Sequence, residues 1–277
     1  MRTVVHLSDL HFGRVDKVLL DPLAACVESL APDVVVVSGD LTQRAKSTQF
    51  EQASRFLARL PRPQIVVPGN HDVPLYNLID RFLRPLARYK SHIGPELAPS
   101  HVDSELAVFG LNTARSLVVK NGRVNPQQLQ ALRDAMSGLA PQVVKVVVTH
   151  HPFDVAPTVD EDELVGRASQ AMHVFAECGV DVLLAGHMHV SHSADSGDRY
   201  ALGGYEALVV SAGTATSTRG RGEVNSFNVM RLEKPRIEVE RWQWQVRMGR
   251  FERASVKMFS RQDRGWVAID KMPPATA

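Results

Sequence analysis

The stretch TVVHLSDLH, residues 3–11, decides how the chain is read. An apolar strand pattern, Thr3–Ser8, runs straight into Asp9 and His11, two side chains able to ligate a metal. The same arrangement recurs along the chain. The strand pattern Asp33–Ser38 leads into Gly39-Asp40, and Gln64–Val67 leads into Gly69-Asn70-His71-Asp72. Val143–Thr149 leads into His150-His151, and Asp181–Ala185 into Gly186-His187-Met188-His189. In open α/β sheets, ligands bind outside the carboxyl ends of the strands, so groups distant in sequence converge there. Glycines precede Asp40, Asn70 and His187, where tight turns and close backbone approach are needed.

Helical patterns separate these strands. They are predicted at Lys17–Leu30, Ser47–Leu60, Pro126–Leu139 and Ala168–Cys178, with further strands at Ala107–Leu111 and Ala207–Ser211. Strands alternating with helices predict an α/β architecture. Between Val73 and Ser100 the pattern is less regular: a helical core, Tyr76–Lys90, is broken by Pro85 and is a candidate cap over the site. After Gly213 the pattern changes. Ala212–Gly222 reads as a loop, Ser226–Leu232 and Arg236–Val246 as a hairpin, and Arg247–Ala277 as irregular. The expected division is a catalytic domain over 1–225, with 73–100 as its cap segment. A C-terminal hairpin and arm over 226–277 would pack on the sheet or at a dimer contact.

Composition sets bounds on function. The chain has 277 residues, 44% apolar and 22% charged, ordinary for a globular protein with a sizeable core. A formal net charge of +2 gives no reason to expect nucleic acid as a partner. No apolar run approaches the roughly 18 residues of a transmembrane segment. MRTVVHLSDLHF lacks the h-region of a signal peptide, so a cytoplasmic location is expected. Cys26 and Cys178 lie apart in helical patterns and read as reduced thiols.

The potential ligands are oxygen and imidazole, with no thiolate. Such a set suits Fe, Mn, Zn or Co. Seven groups are too many for one ordinary site and suit two metal ions sharing a carboxylate, about 3.5–4 Å apart. Singly, an Asp-Gly or Asn-His after a strand is more often a turn or a helix cap. Five in this order have no common reason to be turns. His187 and His189, two apart, would share a face on a continuing strand.

Together, Asp9-x-His11, Gly39-Asp40, Gly69-Asn70-His71-Asp72, His150 and Gly186-His187-x-His189 resemble the full signature of calcineurin-like metallophosphoesterases. Within that superfamily they most resemble bacterial class III cyclic nucleotide phosphodiesterases. The motifs span residues 9–189. The resemblance implies two facing mixed β-sheets flanked by helices, with the metals at one edge. It implies that Asp9, His11 and His189 hold one metal and Asn70, His150 and His187 the other, with Asp40 bridging. His71 would face the phosphate in protonated form, with Asp72 orienting its ring; Asn70, His71 and His189 would meet the substrate. His150 matches the family pattern, which leaves His151 as a wall of the pocket. The implied reaction is hydrolysis of a small phosphodiester by a hydroxide shared between the metals.

A 3′,5′-cyclic nucleotide is the leading substrate. Glycerophosphodiesters, phospholipid headgroups and 2′,3′-cyclic nucleotides are the rivals. A non-catalytic scaffold, as in the retromer subunit, is a further alternative, but a scaffold has no chemical need of His71. Related class III enzymes pair, so a homodimer is a further expectation.

Outside the signature, Arg219 and Arg221 in the Ala212–Gly222 loop read as solvated, with a phosphate contact as the sharper alternative. Asn112, Thr113 and Arg115 either line the pocket or form a turn. Trp242, Trp244 and Val246 share a face at strand spacing, and Trp266 follows. The basic residues from Arg241 to Arg264 read as solvated surface, with attraction to anionic lipid the minority reading.

Overall fold

The computed structural model describes residues 1–117, 120–155, 160–197, 199–200, 202–219, 222–263 and 265–269. The first third holds β1 (Arg2–Leu7), α1 (Leu20–Ser29), β2 (Val34–Val37), α2 (Ser47–Leu57), β3 (Gln64–Val66), α3 (Leu78–Leu83) and α4 (Ala87–His92). Next come β4 (Ser100–Val102), β5 (Leu106–Gly110), α5 (Pro126–Met136), β6 (Val144–Val148), α6 (Ala168–Cys178) and β7 (Val182–Ala185). The rest is strand: β8 (His192–Asp195), β9 (Leu208–Ser211), β10 (Ser226–Glu233), β11 (Arg236–Gln245), β12 (Arg250–Arg261) and β13 (Trp266–Ile269).

These strands form two mixed sheets. The first has seven strands in the order β13-β12-β11-β10-β1-β2-β3, and the second has six in the order β4-β5-β6-β7-β9-β8. β1, β2 and β3 run parallel, as do β5, β6, β7 and β9. Period-two alternation sets the layers. Val34 and Val36 of β2 point into a core shared with Val146, Val148 and Leu184 of the facing sheet. Val35 and Val37 point the other way, onto Leu23 and Val27 of α1 and Phe50 and Phe56 of α2. Val147 and Leu183 do the same against Leu132 of α5 and Phe175 of α6. Both faces of each central strand are therefore dry, which is why these strands read as unbroken apolar runs.

Local signals fix the helix ends. Asn125 caps α5 by accepting from Gln128 N–H, Gln128 reaches back to Asn125 N–H, and Pro126 opens the helix. Gly179, at φ 65°, ends α6. Pro85 splits the expected Tyr76–Lys90 helix into α3 and α4.

The C-terminal residues differ from expectation. The supposedly irregular stretch contains β12, a strand of 12 residues, and β13, which extend the first sheet beyond β11. Only Phe251 and Phe259 of β12 are buried, so the strand carries no apolar alternation to reveal it. Trp242 and Trp244 pack within the chain, beside Phe227 and Phe251. Trp266 is fully buried between the sheets, under the Arg261 guanidinium. Val246 lies past the end of β11 and is exposed. Arg241, Arg250, Arg253 and Arg261 pair with Glu223, Glu252, Glu240 and Asp181, while Arg264 and Arg221 lie outside the described residues. Among the described residues no helix is long and apolar enough to cross a membrane.

One core group makes the fold sensitive to acid. His6 of β1 is fully buried with Nε2 2.8 Å from Ser38 Oγ, and burial pushes its pKa down to about 3. Its folded value lies below its ordinary 6.5, so between those values the unfolded chain takes a proton that the folded chain refuses. Stability therefore falls as pH drops from about 6.5 towards about 3. Urea unfolding of the metal-free chain at about pH 7 and about pH 5 checks this, with a lower midpoint expected at the acid value. Equal midpoints would show that His6 does not titrate in this way.

Candidate metal centre

The strand ends expected to carry ligands all open on one edge, although β1, β2 and β3 belong to one sheet and β6 and β7 to the other. The chain turns abruptly there. Asp9, His11, Asp40, His187 and His189 all have left-handed backbone angles, with φ of 54, 50, 53, 70 and 60°. Each such residue costs about 1–3 kcal/mol and persists only where its surroundings over-determine it, as such strain does at functional sites. Here the surroundings do so. Asp9 N–H donates to Gly39 O at 3.1 Å and His11 N–H to Asp40 O at 2.9 Å. Ser8 Oγ and the His187 N–H both donate to Asp9 Oδ2, at 2.6 and 3.1 Å. Backbone also passes close: a Cβ on Gly69 would sit 2.2 Å from Asp40 Oδ1, so glycine is required there by space rather than by dihedral angle.

Two groups of donors result. Asp9, His11, Asp40 and His189 converge, all buried. His11 Nε2 and His189 Nε2 are 3.1 Å apart, and His189 Nε2 is 3.1 Å from Asp9 Oδ1. Asn70, His150 and His187 form the other group. Asn70 Oδ1 lies 3.0 Å from His150 Nε2 and 3.1 Å from His187 Nδ1. Asp40 stands between them: Oδ2 is 3.6 Å from His11 Nε2 and Oδ1 is 3.4 Å from His150 Nε2.

This arrangement fits cations. Asp9 Oδ1 is buried and, among the described residues, faces imidazole nitrogens rather than an aligned hydrogen-bond donor: His189 Nε2 at 3.1 Å and His11 Nε2 at 3.5 Å. Imidazole nitrogens face one another, at 3.1 Å for His11 and His189 and at 3.3 Å for His150 and His187. A shared metal ion satisfies such lone pairs where protons cannot satisfy them all. The charge balance agrees. Burial pushes the Asp40 carboxyl upward, but His150, His11 and His71 around it outweigh that and hold it far below the usual carboxylate range. Asp9 is likewise held ionised against burial by His11, His189 and His150. Burial opposes protonation of His150, yet Asp40 and Asp9 raise its pKa to about 9.

Several expectations need correction. His187 and His189 do not share a face of a continuing strand, because β7 ends at Ala185 and both lie in left-handed turns beyond it. His187 therefore joins Asn70 and His150, while His189 joins Asp9 and His11. Asp72 does not orient His71. Its carboxylate accepts from the N–H groups of Leu41, Thr42 and Gly69, bracing the turn that carries Asn70 and His71. The His71 ring is set by Gln43, whose carbonyl accepts from Nδ1 at 3.0 Å.

Burial lowers the pKa of His71, and Arg219 Nη1, which can only donate, stands 3.0 Å from Nε2. His151 lies with His150 and His187 among buried side chains that could hold an ion, but Thr113 Oγ1 lies 2.8 Å from its Nδ1 and the Lys120 carbonyl 2.8 Å from its Nε2, so both ring nitrogens are engaged. Asn112 accepts from the Ala114 N–H through Oδ1 and from Gln128 Nε2 through its carbonyl, and Arg115 donates to the Arg123 carbonyl, so neither turns to the metal edge.

Other residues of the site had no readable signal. A cavity of about 530 Å³ opens over Asp40, Asn70, His71, His187 and His189. Arg14, Arg44, Arg81, Lys120 and Arg219 also line it. Glu163 Oε2 sits 3.3 Å from His187 Nε2, with Lys120 paired to the other oxygen. Apart from Arg81 of α3, these residues lie outside the α-helices and strands and carry no motif. Only Arg219 was marked by its sequence position, and its carbonyl also lies 3.0 Å from His189 Nδ1.

The sequence profile of the calcineurin-like phosphoesterase family matches residues 2–191. The 3′,5′-cyclic adenosine monophosphate phosphodiesterase CpdA of Escherichia coli K12 is 25% identical over 201 residues, covering 67% of this chain and 69% of that protein. The glycerophosphodiester phosphodiesterase GpdQ of Enterobacter lignolyticus is 32% identical over 94 residues, 30% of this chain and 33% of GpdQ. Among solved structures, the purple acid phosphatase PPD1 of yellow lupin superposes with a TM-score of 0.70 at 13% identity, covering 95% of this chain and 54% of that one. A dimetal phosphatase from Danio rerio gives 0.62 at 15% identity, covering 92% and 98%. The structural likenesses show the shared fold. With a buried Asp/His edge on that fold and a family match across more than half its length, the chain belongs to the calcineurin-like phosphoesterase family.

Proposed function

We propose that the chain is a metal-dependent phosphodiesterase whose leading substrate is a 3′,5′-cyclic nucleotide. One observation carries the reading: the two oxygens of Asp40 face two separate groups of nitrogen and oxygen donors, and His71 stands just outside them. Asp9, His11 and His189 would hold one ion, and Asn70, His150 and His187 the other, with Asp40 shared. Iron, manganese, zinc and cobalt all suit that donor set. Such ions supply an activated water near neutral pH and offset charge on the phosphate oxygens.

The protein's own residues do the rest. Asn70, His71 and His189 line the cavity where a phosphodiester would lie, and Arg219 can meet a phosphate oxygen as a fork. In the resting state Nδ1 of His71 donates to Gln43 O and Nε2 accepts from Arg219. An anionic diester draws Arg219 onto itself and favours a proton on His71 Nε2. The imidazole can then donate to the leaving oxygen. Asp72 acts on this ring indirectly, by holding its turn.

The similarity to CpdA supports the cyclic nucleotide; the shorter similarity to GpdQ supports the rival diesters. The intact set around His71 speaks against a scaffold role. A panel with manganese-loaded protein separates the candidates. Cyclic AMP should be hydrolysed alongside bis(4-nitrophenyl) phosphate. Turnover of the aryl diester without cyclic AMP would move the assignment to glycerophosphodiesters, phospholipid headgroups or 2′,3′-cyclic nucleotides.

We assign catalysis to residues 1–225, with 73–100 as a cap segment, and read 226–277 as the arm that completes the sheet. A cytoplasmic location suits the two free cysteines, Cys26 and Cys178. A homodimer through the half-exposed outer strands is retained, and analytical ultracentrifugation would report it.

A further inference from the structure

We infer that the outer face of α3 docks the protein on an anionic lipid surface beside the mouth of the metal cavity. Leu78, Ile79, Phe82 and Leu83 are 63, 66, 52 and 76% exposed. Residues 78/82 and 79/83 are four apart, so they form one stripe. The opposite side of the same helix is polar and faces the protein. Arg81 is only 5% exposed and donates to the carbonyl of Pro74, and Asp80 Oδ2 accepts from Arg88 at 2.6 Å. A surface helix of a globular protein normally has the reverse arrangement, with its apolar stripe facing the core. The stripe is not isolated. Tyr76 beside it is 77% exposed, and Leu117 is 84% exposed in the loop that faces α3 across a cavity of about 470 Å³ lined by Leu83 and Ser116. Contiguous exposed apolar surface of this kind marks an interaction site.

Charge selects the occupant. Residues 73–100 carry four Lys/Arg against two carboxylates, Asp80 and Glu96, and Asp80 is held by Arg88. The neighbouring stretch between Glu105 and Asp134 has no acidic residue, and Arg115, Lys120 and Arg123 lie in it. Arg81 is buried, Arg88 holds Asp80 and Lys120 pairs with Glu163, but Arg84, Lys90 and Arg115 line the cavity beside Leu83. Apolar side chains with such cations beside them match the boundary between anionic headgroups and acyl chains. A second copy would bring the same cations against themselves. Val73, Leu75 and Arg81 of this segment also line the metal cavity, so docking sets the cavity mouth at the membrane surface.

Sedimentation of the metal-loaded 277-residue chain with vesicles tests this. Binding is expected to phosphatidylcholine vesicles containing phosphatidylglycerol, to exceed that to phosphatidylcholine alone, and to weaken with salt. The Ile79→Ser/Phe82→Ser double variant should bind about tenfold less or weaker still, because it loses buried apolar area at the interface. Its turnover of soluble bis(4-nitrophenyl) phosphate should be unchanged, which also shows that it folds. No binding of the parent to the mixed vesicles, or equal binding by the variant, overturns the inference. So does a parent dimer that the double variant dissolves, which would assign the stripe to a second copy. Soluble turnover reports on the phosphodiesterase reading separately: its absence in the parent would sink that reading and leave vesicle binding standing.

Discussion

Asp40→Ala is expected to lower phosphodiester turnover by roughly a thousandfold or more and to remove at least one bound metal ion. Among the described residues no other side chain faces both donor groups through separate oxygens. Its loss leaves His11 and His150 without their common carboxylate, and the His71 N–H loses an acceptor at 2.8 Å. Asp40→Asn keeps the shape and removes the charge, so it separates the electrostatic loss from collapse of the turn. Turnover and elemental analysis on the same preparations check both, with circular dichroism reporting the fold. Metal-independent turnover by Asp40→Ala would contradict the assignment.

His71→Ala should behave differently. Turnover is expected to fall by about 10²- to 10⁴-fold, the usual contribution of a positioned general acid. Bound metal should stay at the parent level, because Nδ1 faces Gln43 and Nε2 faces Arg219 rather than the donor groups. A substrate with a leaving group that needs no proton, such as a nitrophenolate, should lose less than a cyclic nucleotide. Loss of metal from His71→Ala would make it a ligand instead.

Much of this was legible in the sequence for a physical reason. Strands dry on both faces are unbroken apolar runs, and residues at their carboxyl ends must converge, so Asp9, Asp40, Asn70, His150 and His187 could be placed before any coordinates. Other features left no such trace. β12 buries just two phenylalanines and so shows no alternation. His71 is oriented by a main-chain carbonyl, which any residue at position 43 would supply. The left-handed turns at His187 and His189 override the strand periodicity that suggested a shared face. Glu163 and Lys120 reach the site from loops whose course depends on the packing of the whole sheet edge. Residue type and order announced the side chains that gather at the sheet edge, whereas the partners that aim them are set by tertiary contacts.

In the proposed reaction a pair of metal ions shares Asp40 and acts on a phosphodiester. Titrating the metal-free chain with manganese while following bis(4-nitrophenyl) phosphate turnover tests it most directly. Activity should be absent without metal and should reach its plateau only when the second equivalent per chain is bound. A plateau after one equivalent, or turnover that survives complete metal removal, would contradict it.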